Sequence, residues 1–596
     1  MSSIINDFSL TIATVNGSGS QTANTVLLRA LFKMGIPVSG KNLFPSNIQG
    51  LPTWYTIRVS KDGFVARRDE DEVVVCINLA SFDRDLARVQ PGGAFFYADD
   101  IKLPISRTDI SLYPMPVKKL SGEADVSPKL RDYIANMVYV GVVAQMLCID
   151  LAKIRQALDF HFGGKAKAVD SNFATVKAGA DWAAANLIKS DPYCVEPMDK
   201  TSGLIMTDGN TAAALGTIFG GVQFVAWYPI TPASSLAETM NEYLPKLRKN
   251  SEGKNTYAVV QAEDELAAIG MTIGAGWGGL RAMTSTSGPG LSLMTEYVGL
   301  AYYAEVPVVI WDVQRIGPST GLPTRTSQSD LSFTYFMGHG DTNQVILLPG
   351  SVNECFEFGW RAFDLAERLQ TPIFVLIDLD FGMNQWMTEP FTYPEQPPDR
   401  GKVLWEADLE KSNGIWARYK DVDGDAIPYR TLPGNKHPAS AWFGRGTGHD
   451  ANARYSEDAK TWEANMSRLR RKYDTARTLV PKPVIDKVEG AEIGIITYGS
   501  TVPAAEEAQV LLQQAGGPKS SLLRLRALPG TEEVHEFVKS HQRVYVVEAN
   551  RDGQLRQILS VEMPDQASKL ASACHSDGLP LTARWVKEAI LKQEVK

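Results

Sequence analysis

Four short apolar runs in the middle of the chain each end in a loop whose side chains could do chemistry. The most distinctive loop is Trp227-Tyr-Pro-Ile-Thr-Pro232, in which two prolines stiffen the turn around the hydroxyl of Thr231. Ligands of open α/β sheets gather at the carboxyl ends of strands, so this hydroxyl could face a bound molecule. The alternative is that it only caps the helix that follows.

The second loop, Gln261-Ala-Glu-Asp-Glu-Leu-Ala-Ala268, places three consecutive acidic residues at the start of a predicted helix. Acidic residues at that place can simply complement the helix macrodipole. A carboxylate at a strand end can also hold or move a proton during a reaction. Glu263 and Glu265 are the two candidates for that role.

Two more loops complete the set. Thr284-Ser-Thr-Ser-Gly-Pro-Gly290 follows one apolar run, and Trp311-Asp-Val-Gln-Arg315 ends another and leads into Gly317-Pro-Ser-Thr-Gly-Leu-Pro-Thr-Arg325. Coincidence is a poor explanation for four polar or glycine-rich loops in succession. We therefore expect one shared site at the edge of a sheet.

These loops lie in the second of three α/β blocks, which begins near Thr207. Its strands are continuous apolar runs, typical of a parallel sheet covered on both faces. The first block opens with a strand, the glycine turn Asn16-Gly-Ser-Gly-Ser-Gln21 and a helix, and it contains a long helical region over Pro128–Leu158. The predicted strands of the second block are Gln223–Tyr228, Tyr257–Gln261, Ala282–Ser285, Val306–Asp312 and Ile373–Leu379.

The segment 391–483 differs from its surroundings because it is rich in Pro, Gly, Asp and Trp and has weak periodicity before Asp458. We predict an irregular connector that wraps other parts of the protein. A disordered linker is the alternative, against which the Trp and Tyr content argues. The third block, from Glu492 to the end, is predicted to be a small α/β domain that alternates strands (Ile493–Tyr498, Ser521–Leu525, Val544–Ala549) with helices (Ala504–Gln514, Glu532–Ser540).

The overall composition limits the classes of protein to which this chain can belong. The chain has 596 residues, a net charge of −8 and an ordinary globular composition, which predicts several domains and argues against a nucleic-acid-binding face. No signal peptide is evident, and the most apolar helical stretch, Met137–Ile154, is too short and too polar to cross a bilayer. These features predict a soluble, cytoplasmic protein without a membrane or nucleic-acid partner.

Five cysteines are scattered along the chain without a CxxC pair, so no local metal or cluster motif exists. We interpret them as reduced, buried thiols. They are Cys76, Cys148, Cys194, Cys355 and Cys574.

The loop sequences resemble the alpha subunit of 2-oxoacid:ferredoxin oxidoreductases. The similar strings are GN-x-A-x-A-x-G at 209–216, YPITP at 228–232, E-x-E-x-A-A at 263–268, TSTSGPG at 284–290 and GPSTGLPT at 317–324. The resemblance implies an α/β, multi-domain fold: a gamma-type domain (1–192), a thiamine-enzyme pyrimidine-binding-type domain (203–390), the connector (391–485) and a transketolase-C-terminal-like domain (486–596).

The resemblance also implies an activity. The family decarboxylates a 2-oxoacid on thiamine diphosphate, passes the acyl group to coenzyme A and gives the electrons to ferredoxin. The fused gamma–alpha arrangement and the string STGLPTRTSQSDL at 319–331 are most similar to the 2-oxoglutarate branch, whose product is succinyl-CoA. Pyruvate, a branched-chain or an aryl 2-oxoacid remain alternatives, as does a non-catalytic scaffold. The direction, oxidation or reductive carboxylation, stays open.

Site residues follow from the same resemblance. A carboxylate must hydrogen-bond N1′ of the thiamine pyrimidine, and Glu265, which directly precedes an apolar helix face, is favoured over Glu263. Thr231 and Arg315 resemble the family's contacts to the substrate carboxylate, for which a guanidinium fork is well suited. Arg325 is the candidate for neutralising a second carboxylate, the alternative being a solvated surface arginine, and Thr320 is a further substrate-binding candidate. The remaining cofactor contacts implied are Tyr228, Pro229, Ile230, Glu263, Ser287 and Gly288.

Several parts of a complete enzyme are missing from this sequence. The pyrophosphate- and Mg²⁺-binding GDG motif is absent, its nearest match being Thr207-Asp-Gly-Asn210, and no cysteine set suits a [4Fe–4S] cluster. The resemblance therefore implies a beta subunit that carries these groups, an (alpha–beta)2 heterotetramer and no activity for this chain alone. Coenzyme A is expected at the glycine turn, with Lys41 and Asn42 nearby; a purely structural turn is the alternative. The turn residues are Gly17, Ser18, Gly19 and Ser20.

Overall fold

The computed structural model describes residues 3–46, 50–123, 131 and 133–594. The chain divides into two compact units, each with its own helices and sheets. Unit 1 comprises Met1–Thr207, Asn384–Pro390 and Leu581–Trp585; unit 2 comprises Asp208–Met383, Phe391–Pro580 and Val586–Lys596. This architecture confirms the predicted α/β, multi-domain class, while the finer division into four segments stays a prediction.

Unit 1 is built on a six-stranded sheet of order β3-β4-β2-β5-β6-β7, in which β2, β5, β6 and β7 run parallel and β4 runs antiparallel to β2 and β3. β2 and β5 are buried along almost their whole length, as expected for central strands of a sheet that is covered on both faces. The elements are β1 (Ile4–Ile5), β2 (Asp7–Val15), α1 (Ser20–Lys33), β3 (Val38–Leu43), β4 (Pro52–Ser60), β5 (Asp71–Cys76), α2 (Phe82–Arg88), β6 (Val89–Ala98), β7 (Ser111–Met115), α3 (Val117–Gly122), α4 (Asn136–Met146), α5 (Leu151–His161), α6 (Ala166–Asn186), β8 (Tyr193–Cys194), β9 (Ile205–Thr207) and β16 (Trp386–Thr388).

The long helical region predicted over Pro128–Leu158 is wrong as one element. Its first residues lie outside the described ones, and the rest forms two helices, α4 and α5, separated at Cys148, whose φ of 64° lies in the left-handed region. A helix cannot continue through that conformation. The apolar character continues through the break because α4 is buried almost entirely and α5 buries one face in the same core.

The expectation of five reduced cysteines is also wrong, because Cys148 and Cys194 form a disulfide with a Cα–Cα distance of 5.6 Å. The backbone N–H of Val195 donates to the carbonyl of Leu147 at 2.9 Å and so aligns the two segments. The pair is 46 residues apart in sequence, and spacing alone does not show such a contact. The other three cysteines are free thiols, of which Cys574 is half-buried rather than buried.

Unit 2 contains a seven-stranded sheet of order β11-β10-β12-β13-β15-β14-β20, parallel except for β20. The predicted strands are all present, with one shifted: the strand expected over Val306–Asp312 runs from Val308 to Gln314. Asp312 therefore lies within the strand instead of at its end. The elements are α7 (Gly209–Phe219), β10 (Phe224–Trp227), α8 (Ser234–Leu247), β11 (Ala258–Gln261), α9 (Glu265–Trp277), β12 (Ala282–Thr286), α10 (Gly288–Ala304), β13 (Val308–Gln314), α11 (Leu331–Tyr335), β14 (Val345–Leu347), α12 (Val352–Leu369), β15 (Pro372–Asp378) and α13 (Leu379–Met383).

The third sequence block forms a five-stranded sheet of order β17-β19-β18-β21-β22, parallel except for β17. Its predicted strands and helices agree with the structure to within two residues. The elements, with those of the connector, are α14 (Glu406–Lys411), α15 (Ala459–Leu479), β17 (Val484–Asp486), β18 (Ile493–Thr497), α16 (Val502–Gln514), β19 (Ser520–Arg524), β20 (Ala527–Leu528), α17 (Glu532–Ser540), β21 (Arg543–Glu548), α18 (Gln554–Glu562), β22 (Leu570–Cys574) and α19 (Ala583–Glu594).

Within unit 2, a buried ionic cluster around Glu305, the residue after α10, packs the connector against the domain that carries the four loops. Arg468 donates to both carboxylate oxygens of Glu305 at 2.9 and 2.7 Å, and Lys472 donates to one of them at 2.6 Å. Burial alone would raise the pKa of Glu305, but Arg468 and Lys472 outweigh it and hold that pKa at about 2. Arg418 of the connector donates to the Glu305 carbonyl at 3.0 Å. These contacts favour the packed connector over a disordered linker.

Replacing Glu305 with glutamine is expected to lower the free energy of unfolding by about 3–5 kcal/mol, because it leaves Arg468 and Lys472 buried without their counter-charge. The measurement is urea unfolding followed by circular dichroism. Glu296→Gln, on the exposed face of α10, is the matched control and should change stability by less than about 0.5 kcal/mol. Equal stability of the two variants would contradict the prediction.

Candidate active site

The four chemistry-bearing loops leave one edge of the seven-stranded sheet. Strands β11, β10, β12 and β13 are consecutive neighbours and run parallel, so their carboxyl ends lie side by side. The loops after them begin at Ala262, Tyr228, Ser287 and Arg315. Ligands of such sheets bind at this edge.

The two candidate glutamates differ in how deeply they are buried. Glu263 is exposed, whereas Glu265, the first residue of α9, is 6% exposed. The helix begins there because the Asp264 side chain accepts the N–H of Ala267 at 2.7 Å. Gly290 faces Glu265 so closely that a Cβ at Gly290 would lie 2.8 Å from Oε1 of the glutamate. Any larger residue at position 290 would therefore collide with the Glu265 side chain in its present rotamer.

The Tyr-Pro-Ile-Thr-Pro turn is braced from two directions. Arg315 Nη1 donates to the carbonyl of Thr231 at 2.8 Å. Asn210, at the start of α7, donates from Nδ2 to the carbonyl of Pro232 at 2.9 Å and to Oγ of Ser235 at 2.7 Å. Asn210 belongs to a string quoted in the sequence analysis, but its bracing of this turn was missed because the contact joins residues 22 apart. Tyr228, Pro229 and Ile230 lie at the outer side of the turn, the first two exposed.

Arg315 is the buried cation of the site, at 8% exposure. Burial lowers its pKa, while the nearby carboxylates of Asp330 and Glu265 act in the opposite direction. An arginine remains charged under these conditions. The site thus combines a fixed positive charge, a buried glutamate and the Thr231 turn.

Ser287 and Gly288 begin α10 on the next strand end. Ser287 is fully buried, and its Oγ has no hydrogen-bond partner among the described residues. Gly288 lies against the Asp330 carboxylate, since a Cβ there would lie 2.7 Å from Oδ1.

The loop after Arg315 folds back on itself. The N–H of Ile316 donates to the carbonyl of Arg325 at 3.1 Å, so the backbone of Arg325 lies next to the substrate arginine predicted from the sequence. Nη1 of Arg325 donates to the carbonyl and to Oγ1 of Thr324, at 2.8 and 3.0 Å. Thr320 is exposed at the tip of this loop. The structure thus brings the Arg325 backbone to the site while its guanidinium contacts Thr324.

Two functional candidates were missed by sequence reasoning. Asp312 is fully buried in β13, and Asp330 precedes α11. Burial and the neighbouring Asp330 raise the pKa of Asp312 well above its usual range, and burial raises the pKa of Asp330 to about 7 against the attraction of Arg315. Both residues stand in strings quoted above, but only the fold brings them together.

The glycine turn of unit 1 connects β2 to α1. Gly17 and Gly19 have φ values of 84° and 77°, a conformation that favours glycine. Asn136 of α4 donates to the carbonyl of Ser18 at 2.9 Å and so holds the middle of the turn.

The other residues predicted near the turn are already engaged. Thr14 donates to the buried Ser20 hydroxyl at 2.8 Å. The Lys41 ammonium lies 3.9 Å from the centroid of the Trp386 ring, a cation–π contact.

Among the described residues, no group of three or more His, Cys, Asp or Glu side chains is arranged to hold a metal ion. No helix among the described residues has the length and apolar character needed to cross a membrane.

Comparison with known proteins agrees with this arrangement. Residues 215–399 match the family model of pyruvate flavodoxin/ferredoxin oxidoreductase, thiamine diphosphate-binding domain, and residues 9–182 match the pyruvate ferredoxin/flavodoxin oxidoreductase model. The first segment contains all four loops of the candidate site.

Whole-chain relatives give the same result. The chain is 29% identical to the alpha subunit of 2-oxoacid:ferredoxin oxidoreductase 2 of Aeropyrum pernix, over 93% of this chain and 92% of that protein. It is 37% identical to the 2-oxoglutarate synthase subunit KorA of Methanothermobacter marburgensis, over 57% of this chain and 87% of that subunit.

A solved structure matches the full length. It is the 2-oxoglutarate:ferredoxin oxidoreductase from Magnetococcus marinus with 2-oxoglutarate, coenzyme A and succinyl-CoA bound, with a TM-score of 0.88, 28% identity and coverage of 100% of both chains. With the site geometry and the family models, these relatives show that this chain belongs to the 2-oxoacid:ferredoxin oxidoreductase family, as an alpha subunit.

Proposed function

We propose that this alpha subunit acts on 2-oxoglutarate, which is oxidatively decarboxylated with coenzyme A to succinyl-CoA and CO2 while electrons pass to ferredoxin. The observation that carries the chemistry is that buried Glu265, after β11, and buried Arg315, after β13, lie near each other at the same edge of the sheet. The choice of 2-oxoglutarate is supported by the full-length similarity to an enzyme with that substrate bound and by the KorA relative. The same site could run the reaction in reverse as a reductive carboxylation.

The residues present fit the pyrimidine end of thiamine diphosphate. Glu265 is a buried carboxylate at a strand end, Gly290 packs directly against it, and the Ser287 hydroxyl is buried without a partner in the described structure. Thiamine diphosphate, when bound, supplies the electron sink for decarboxylation. Glu265 would hydrogen-bond the pyrimidine ring, and the Tyr228–Thr231 turn, Ser287 and Gly288 would line its surroundings, with Glu263 at the exposed margin.

Arg315 receives the substrate carboxylate. One of its amino groups is used to hold the Thr231 carbonyl, and this contact fixes the direction of the guanidinium. Its Nε has no partner among the described residues and remains available to an acceptor. Thr231 provides a hydroxyl beside the same carboxylate. Arg325 and Thr320 are proposed to attract the second carboxylate of 2-oxoglutarate.

Coenzyme A, the metal ion, the cofactor pyrophosphate and the iron–sulfur cluster are proposed to bind outside this sheet edge. Coenzyme A is proposed to bind at the Gly17–Ser20 turn of unit 1, whose backbone N–H groups suit phosphates, with Lys41 and Asn42 adjacent. A beta subunit is proposed to carry Mg²⁺, the pyrophosphate site and a [4Fe–4S] cluster. We propose an (alpha–beta)2 heterotetramer in the cytoplasm, with this chain inactive alone.

The test is to co-purify the alpha subunit with its beta partner and assay a panel of 2-oxoacids with a one-electron dye as acceptor. The expected result is the highest kcat/KM for 2-oxoglutarate, because a monocarboxylic 2-oxoacid cannot engage a second cationic contact. Higher kcat/KM for pyruvate, a branched-chain or an aryl 2-oxoacid would reject 2-oxoglutarate as the substrate. Turnover by the beta subunit alone would instead support a scaffold role.

A further inference from the structure

Two glutamines hold the return segment, residues 326–332, through which the chain comes back from the Arg315 loop. The segment lies in unit 2 against the C-terminal sheet, the five-stranded sheet of order β17-β19-β18-β21-β22. Gln328 belongs to the return segment, and Gln554 is the first residue of α18, which follows β21. Neither glutamine has a part in the function proposed above.

Gln328 binds the ends of two strands of the C-terminal sheet and is 1% exposed. Its Nε2 donates to the carbonyl of Tyr498, the residue after β18, at 2.9 Å. Its Oε1 accepts the N–H of Ala549, the residue after β21, at 2.8 Å. The backbone N–H of Gln328 donates to the Ala549 carbonyl, also at 2.8 Å. Side chain and backbone together fix where the return segment meets the two strand ends.

Gln554 makes the same kind of contact in the opposite direction. Its Nε2 donates to the Ser329 carbonyl at 2.7 Å, and its Oε1 accepts the N–H of Ser332 at 2.9 Å. One glutamine of the return segment thus binds the backbone of the C-terminal sheet, and one glutamine of α18 binds the backbone of the return segment. Each amide needs its donor and its acceptor partner in place at once, so the two side chains favour a single position of the segment.

The chain leaves space for this arrangement at Gly499. Its φ of 60° lies in the left-handed region, and a Cβ there would lie 2.6 Å from Nε2 of Gln328. The next residue, Ser500, donates from its hydroxyl to the carboxylate of Asp378 at the end of β15. Because β15 is hydrogen-bonded to β13, the C-terminal sheet is anchored beside the strand that leads to Arg315.

Two hydrogen bonds connect the return segment to the surroundings of Arg315. The N–H of Asp330 donates to Oε1 of Gln314 at 3.0 Å, and the N–H of Ile316 donates to the carbonyl of Arg325 at 3.1 Å. The residues directly before and after Arg315 are therefore bound to the chain that the two glutamines hold. A displacement of the return segment would be transmitted to the backbone that carries the guanidinium.

We propose that Gln328 and Gln554 are positioning residues for Arg315, so that the C-terminal sheet sets how well a substrate carboxylate binds. The inference rests on the proposed function, in which Arg315 receives that carboxylate. The physical reason is preorganisation, because a guanidinium already held in the binding direction loses little freedom when the substrate arrives. A sheet that carries none of the proposed substrate contacts thereby contributes to substrate affinity.

The first test replaces Gln328 with methionine in the alpha–beta complex. Methionine has a similar length but offers Tyr498 no donor and Ala549 only a weak acceptor. We expect KM of the 2-oxoacid to rise about tenfold, with kcat within about threefold of wild type, because the carboxylate contact exists already in the bound substrate. Gln554→Met is expected to shift KM in the same direction. Gln513→Met, at an exposed position of α16, is the matched control and should keep both constants within about twofold.

A double-mutant cycle tests whether the effect passes through Arg315. Gln328→Met is combined with Arg315→Ala, a variant that has no guanidinium to position. We expect Gln328→Met to lower kcat/KM by less than about twofold in this variant, against about tenfold in wild type. An additive tenfold loss would overturn the inference and leave the glutamine a purely structural role. A fall in kcat with unchanged KM in Gln328→Met would overturn it as well.

Folding of each variant is checked by co-purification with the beta partner and by circular dichroism. If Gln328→Met does not fold, the cycle is run with Gln554→Met, whose side chain is half-buried rather than buried. Wild-type KM in Arg315→Ala would reject the proposed function of Arg315 and this inference with it. A raised KM in Arg315→Ala together with additive losses would reject only the positioning role of the glutamines. All measurements use the 2-oxoacid that the substrate panel selects.

Discussion

Replacing Glu265 with glutamine is expected to lower kcat of the alpha–beta complex by about 10²- to 10⁴-fold, the range that a positioned acid–base group contributes to catalysis. Glutamine has nearly the same shape and can still form a hydrogen bond, but it carries no charge and cannot hold or release the proton. At 6% exposure, Glu265 has little water around it that could take over this role. The measurement is kcat at saturating 2-oxoacid and thiamine diphosphate, with dye reduction as the readout.

Two other glutamate variants serve as comparisons for this prediction. Glu263→Gln is expected to lose much less activity than Glu265→Gln, because Glu263 is exposed two residues before the helix begins. Glu238→Gln, an exposed residue of α8, is the control and should retain wild-type kcat within about twofold, as surface substitutions usually do. A larger loss in Glu263→Gln than in Glu265→Gln would reverse the assignment.

Arg315→Ala is expected to lower kcat/KM by about 30- to 10³-fold or more, since removing one partner of a desolvated charge pair typically costs about 2–5 kcal/mol. Two losses combine in this variant. The substrate carboxylate loses its cation, and the Thr231 carbonyl loses the donor that holds its turn at 2.8 Å. The effect should be larger on KM than on kcat, because the contact exists already in the bound substrate.

Arg315→Lys separates the two losses. Lysine keeps the charge but cannot make a planar fork to a carboxylate while also donating to Thr231. We expect an intermediate kcat/KM for this variant, between wild type and Arg315→Ala. Arg470→Ala, at an exposed position of α15, controls for the loss of an arginine and should leave both constants within about twofold. Unchanged KM in Arg315→Ala would refute the role of this side chain in substrate binding.

The strand-and-loop pattern was predictable because its signals are local. Apolar runs mark buried strands, and the proline- and glycine-rich loops after them mark the strand ends, so a window of a few residues contains the information. The third block shows this well, since its helix over 532–540 was predicted to the residue. The shifted boundaries of β13 show where local prediction fails. Val306 and Val313 are equally apolar, so the sequence does not fix the ends of the strand, and hydrogen bonding to β15 decides them.

Features that join distant segments were not predictable. Neither the disulfide of Cys148 with Cys194 nor the ionic cluster of Glu305 with Arg468 leaves a local signature. The second contact spans 163 residues. The connector illustrates the point, because its irregular sequence is compatible with a linker until the cations of α15 are seen to surround a buried carboxylate.

The amino-acid order was therefore sufficient to find the family, the four loops of the site and the two competing glutamates, because each is a short string with a local physical meaning. Contacts across the fold were needed for the rest. They bury Glu265 and leave Glu263 exposed, aim Arg315 at the Thr231 turn and bring Asp312 against Asp330. Burial, hydrogen-bond geometry and the pKa shifts of buried carboxyl groups depend on which groups meet in space, and the properties that govern the chemistry at this sheet edge arise from those contacts.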